Sequence, residues 1–165
     1  MLRSLLFICL FSSLLMPSCG FQEKHDAQEF YSRLNSINDS LDKMVTQWHD
    51  SLDRAQLTKN YNELGAVRTR LGAFISESRL YVANTPGTSG NEKLKNLEDS
   101  LLATQSAKVS DIYPVFEQFS AFTPKDILDK NKALLYDDID GVKMQLVGIR
   151  KAQVAFVKNY TLRNK

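Results

Sequence analysis

Few side chains in this sequence have chemistry beyond packing. There are two histidines and two cysteines among 165 residues: His25, His49, Cys9 and Cys19. A carboxylate-bridged di-iron centre in a helical protein needs inward glutamates and a Glu-x-x-His pair on each of two helices. Neither histidine has Glu three positions before it. A haem needs opposed His, Met or Cys ligands; Met44 and His49 share one segment, so methionine reads as filler for core gaps. The serines come without a Gly-x-Ser-x-Gly elbow. The glycines of Pro86 to Gly90 lack the Lys-Ser/Thr ending of a phosphate loop. Asp137, Asp138 and Asp140 lack the glycine and terminal glutamate of a calcium loop and read as a solvated face. The expectation is no catalytic set, no metal and no cofactor.

Cys19 is different. Met1 to Arg3 carries one positive charge, Leu5 to Met16 is an apolar run too short to span a bilayer, and Pro17, Ser18 and Cys19 follow. Small residues after a short apolar run suit a cleavage site. Ser18-Cys19-Gly20 resembles the lipobox of bacterial lipoproteins, although Met16 stands where that motif usually has Leu and Pro17 is unusual beside it. The resemblance implies a signal peptide over residues 1–18, acylation of Cys19, a lipidated tether over 19–26 and a folded domain over 27–165. The alternative is a plain secretory leader cut near Cys19. Gly20 is not the acidic residue that retains enteric lipoproteins in the inner membrane, so the expected address is the outer membrane, on its periplasmic or surface face.

Composition agrees with one globular domain. Hydrophobic residues make up 43% and charged residues 24%, and the formal net charge is +2. That balance excludes the basic excess of a nucleic-acid binder. With Cys9 in the leader and Cys19 acylated, no internal disulfide can form, and the fold must stand on its apolar core.

The elements that would carry this core are helices. From Asp26 onward apolar residues recur at three- and four-residue steps. Phe30, Leu34, Ile37, Leu41, Met44 and Trp48 form one stripe, expected to end before Ser51. Leu64, Val67, Leu71, Phe74, Ser78 and Tyr81 form a second, in a helix capped by Thr58 or Asn60 and ended by the loop Thr85 to Gly90. The third segment, Asn91 to Phe122, carries Leu94, Leu97, Leu101, Leu102, Val109, Ile112, Phe116 and Phe119, with a kink expected at Pro114. Thr123-Pro124 starts the fourth, which runs to about Tyr160 with Leu135, Ile139, Val142, Leu146, Ile149, Gln153, Phe156 and Tyr160 on one stripe. Gly141 and Gly148 suit a close helix crossing, or else simply soften the helix. Short connections favour antiparallel neighbours, so the expected fold is all-α, an up-down-up-down four-helix bundle.

In that topology the lipidated N-terminus and the C-terminus share one end. An extended tether over Gly20 to Asp26 reaches at most about 25 Å at roughly 3.5 Å per residue. The basic residues Lys158, Arg163 and Lys165 would then lie near the membrane. The aromatic cluster Tyr113, Phe116, Phe119 and Phe122 would point away as a candidate partner surface.

Three stretches, Phe30-Tyr31, Ile112 to Phe116 and Ala152 to Tyr160, resemble uncharacterised small helical surface lipoproteins of spirochaetes and Bacteroidetes-type bacteria. The resemblance implies a helical envelope protein without known enzyme activity and transfers no functional residues. The leading expectation is a non-enzymatic, membrane-anchored interaction or scaffold module that binds another envelope protein. The alternative is a carrier that holds an apolar ligand among Phe74, Tyr81, Phe116 or Phe156.

Overall fold

The computed structural model describes residues 19–87, 90–135 and 138–163, with side chains from 25 to 158 within those stretches. It is an all-α helical bundle. Four long helices, α1 (Cys19–Thr58), α2 (Leu64–Asn84), α3 (Glu92–Asp111) and α6 (Asp138–Arg163), are joined by α4 (Tyr113–Glu117) and α5 (Lys125–Lys132). A 3-10 turn, Ala133–Leu135, follows α5. Each long helix packs on two others, in the ring α1, α2, α3, α6 and back to α1. Paired residues run in reversed order around the ring. Phe30 meets both Tyr81 and Phe156, Arg79 meets Asp99, Asp39 meets Arg150, and His49 meets Asp138. Neighbours therefore point in opposite directions, and the start of α1 lies at the same end as the close of α2 and of α6.

The core stripe of α1 is longer than a heptad reading predicts. Phe30, Leu34, Ile37, Leu41, Val45, Trp48, Leu52 and Ala55 are buried. The stripe does not stop at Ser51; it passes to Leu52. A straight helix drifts by about 20° per heptad, and an 11-residue step such as Leu34 to Val45 or Leu41 to Leu52 restores the facing side. The same drift in α2 buries Ile75 and Val82 and leaves Phe74 and Tyr81 at the flank. In α6 the expected stripe holds: Val142, Leu146, Ile149, Gln153 and Phe156 are buried. Tyr160's side chain lies outside the described residues.

Two expected continuous helices are instead broken. The third stops at Asp111, and Pro114 sits in the first turn of a new helix, α4, where its missing N–H leaves no bond unmade. The chain then turns through Gln118 to Pro124, held by Ser120 N–H on Thr123 Oγ1 at 2.8 Å. Thr123 thus caps the turn, and α5 begins after Pro124 with no side-chain cap. The expected fourth helix is divided into α5, the 3-10 turn and α6.

Three smaller expectations also change. Residues 19–26 are the opening turns of α1, not an extended tether; as helix they rise about 12 Å. Neither Thr58 nor Asn60 caps α2; Asn60 Oδ1 accepts from Asn62 N–H at 3.1 Å within the turn. Gly141 and Gly148 face open space, whereas a Cβ on Gly72 would lie 3.3 Å from Val109 Cγ1. The close crossing therefore belongs to α2 and α3.

The core also contains polar groups. Asn38, Ser78, Glu98, Gln105 and Gln153 are buried, and Asn38 Nδ2 donates to Glu98 Oε2 across the bundle at 3.2 Å. Glu98 Oε1 and Asn38 Oδ1 have no hydrogen-bond partner among the described residues. Burial pushes the Glu98 carboxyl up to about 7, against a smaller opposing effect of the Asn38 bond.

Candidate functional site

The two breaks in the bundle face one another, and each delivers a side chain to the same point. Ending α3 at Asp111 turns Tyr113 inward from α4, and starting α6 at 138 sets Asp138 in its first turn. Asp138 is fully buried. Its Oδ2 accepts from the Tyr113 hydroxyl at 2.5 Å and from His49 Nε2 at 3.0 Å. Its Oδ1 accepts from Lys108 Nζ at 2.6 Å, with Gln105 Nε2 at 3.5 Å. One carboxylate so joins α1, α3, α4 and α6. This corrects the expectation that Asp137, Asp138 and Asp140 form a solvated face: Asp138 is core, Asp140 is exposed, and Asp137 lies outside the described residues.

Electrostatics follow from the geometry. Burial acting alone would raise the Asp138 carboxyl. Donors from His49, Lys108 and Tyr113, with the Lys108 charge, outweigh it and hold the group well below the usual carboxylate range. The Tyr113 phenol moves up, first because it is buried and then because it faces an anion. Tyr113 is therefore locked as a donor. Aromatic packing fixes the rest: Tyr113 stacks on Trp48 at 3.6 Å, 10° from parallel, and the His49 ring stands edge-on to both.

A histidine oriented by a buried carboxylate is also the arrangement that activates a nucleophile in acyl-transfer enzymes. Here His49 makes no hydrogen bond to a Ser, Thr or Cys among the described residues, and the carboxylate is shared with Lys108 and Tyr113. The arrangement ties elements together. Sequence reasoning missed it, although the signal is present. Asp138 falls four residues before Val142 on the α6 stripe, and an acid at a core position must find donors.

Beside this cluster a cleft of about 580 Å³ opens between α1, α5 and the start of α6. Leu52, Leu135 and Ile139 line it together with His49, Asp53, Asp129, Lys132 and Asp140. Lys132 reaches across to Gln56 at 3.0 Å and Asp53 at 3.5 Å, which braces α5 on α1. Among the described residues no group of three His, Cys, Asp or Glu side chains could hold a metal ion.

The four aromatics expected as a partner surface separate. Tyr113 and Phe116 are fully buried, Phe116 edge-on to Trp48, so neither can offer a surface. Helix α4 turns them inward, against the core side of α1. Phe119 is half-buried against Tyr61 and Phe116, and Phe122 is 93% exposed. Other exposed apolar residues lie at the same end: Leu57 at 86%, with Leu134 and Ile127 on and beside α5. At the opposite end Lys158 is exposed; the side chains of Cys19, Arg163 and Lys165 lie outside the described residues. Comparison with family models, curated proteins and solved structures finds no match to this chain.

Proposed function

We propose that this chain is an envelope lipoprotein, anchored through Cys19 and addressed to the outer membrane, whose bundle is a non-enzymatic docking module for another envelope protein. The observation that carries the reading is the placement of exposed apolar groups. Phe122, Leu134 and Ile127 stand at the end remote from Cys19, on the segment where the bundle is broken into short pieces, and Leu57 closes α1 at the same end. Burying one such side chain against a partner contributes roughly 1.5–3 kcal/mol, so a few of them suffice for a specific contact. The resemblance of the leader to a lipobox supports the anchor, and no described helix is long and apolar enough to cross a membrane. The pairing of His49 with Asp138 within a structural cluster supports a module without catalysis.

The carrier reading has less support. Phe156 packs edge-on to Phe30 and Phe116 against Trp48, which places both rings in core packing. Metabolic labelling with radioactive palmitate tests the anchor: the wild type takes up label and Cys19→Ala does not. Label in both, or in neither, would remove the lipoprotein reading.

A further inference from the structure

Helix α6 has a second face. On the side opposite Val142, Leu146, Ile149 and Gln153, the residues Met144, Val147, Lys151, Val154 and Lys158 recur at three- and four-residue steps. Met144 is 75% exposed and Val154 64%, with Val147 about half exposed. Lys143, Arg150 and Lys151 are exposed beside them. Val147, Arg150, Lys151 and Val154 together line a shallow depression with an apolar floor and two cations at its edge. From residue 141 to the C-terminus the sequence has no aspartate or glutamate. Arg150 has one carboxylate neighbour, the exposed Asp39 of α1 at 3.1 Å. Lys143 and Lys151 have none among the described residues.

We propose that this outer face of α6 lies on an anionic lipid bilayer. Its pattern is that of an interfacial helix: modest apolar side chains sink to the level of the acyl boundary, and cations on long stems reach back to the headgroups. A protein-binding face differs in composition, being enriched in aromatics and depleted in lysine. Among the described residues the exposed α6 face has lysine and no aromatic. Charge complementarity selects the anionic surface, since each cation within a Debye length of such a bilayer adds to the attraction. The helix is 26 residues long, about 39 Å, so contact along it sets the bundle on its side. The upright stance expected from an anchor alone is replaced. The apolar end at Phe122 stays accessible above the bilayer. The proposal stands whether or not Cys19 is acylated.

The test uses the chain from residue 19 with Cys19→Ser, which contains every described helix and no lipid. Sedimentation with phosphatidylcholine vesicles is compared with and without phosphatidylglycerol. Binding is expected only with the anionic lipid, and to weaken with salt. The double substitution Lys143→Gln/Lys151→Gln, at exposed positions, lowers the partition constant about twenty-five-fold, from roughly fivefold per cation. A polarity-sensitive dye on Met144→Cys shifts to the blue on vesicles. The same dye on Leu80→Cys, an exposed position on α2 diagonally across the bundle, does not. Equal binding to neutral vesicles, indifference to the lysine substitutions, or equal dye shifts at both positions would overturn the proposal. No binding at all would also overturn it and leave the face to an acidic protein.

Discussion

Glu98 provides the sharpest energetic test of the bundle's interior. Its carboxyl is buried, accepts one bond from Asn38 and leaves Oε1 without a partner among the described residues. Burial pushes the group up to about 7 in the folded chain, against an ordinary value of 4.5. A carboxyl raised on folding stabilises the folded state below its unfolded value, and that stability is lost as pH rises through the folded value. The shift from 4.5 to about 7 corresponds to roughly 3 kcal/mol at about 1.4 kcal/mol per unit. The loss should begin near pH 4.5 and be complete somewhat above 7. Glu98→Gln keeps the shape and an acceptor for Asn38 but cannot ionise. Urea unfolding measured at a series of pH values should show the wild type declining through this window while Glu98→Gln holds level. The two should agree at the acid end, and the variant should be the more stable by about 3 kcal/mol at the alkaline end. Parallel curves, or a wild type that gains stability from pH 5 to 8, would refute the reasoning.

Further outcomes follow from the same packing. Asp138→Asn should cost about 3–5 kcal/mol, because it leaves the Lys108 ammonium facing a neutral amide within the core; thermal unfolding checks this. As the Asp138 carboxyl is held below its ordinary 3.8, its contribution is present above that value and lost as pH falls through the folded value. The acid limb of stability should therefore flatten in Asp138→Asn. Tyr113→Phe should destabilise by roughly 1.5–3 kcal/mol through the lost bond to a charged acceptor, with a change in Trp48 fluorescence from the altered stack. Gly148→Ala, whose new Cβ meets open space, should stabilise by up to about 1 kcal/mol. Gly72→Ala, pressed on Val109, should gain less or lose stability.

Much of the helical pattern is legible in the residues themselves. The loop at Thr85 to Gly90 ends α2 where its proline and glycines say it should, at Asn84. The stripe from Val142 to Phe156 reads the core face of α6 directly. Heptad counting fails where the helix is straight: it selects Met44 over Val45 and Phe74 over Ile75, because each seven residues lose phase that only an 11-residue step recovers. The breaks at Ile112 and at the 3-10 turn Ala133–Leu135 were not legible, since Pro114 suits a kink and a helix start alike. Which one occurs depends on the gain from burying Tyr113 against Trp48 and Asp138, partners 65 and 25 residues away. The Asp138 cluster was hidden for the same reason, its donors coming from three other helices. The separation of Phe122 from Tyr113 and Phe116 follows from the end of α4 at Glu117, beyond which side chains no longer keep helical spacing.

The docking reading is tested most directly by photocrosslinking in intact cells. A benzoylphenylalanine is placed at Phe122, at Leu57 or, as a control on the exposed flank of α2, at Glu77. The account predicts one discrete adduct of the same mass from Phe122 and Leu57 and none from Glu77. No adduct at either apolar position, or the same mixture from all three, would contradict it.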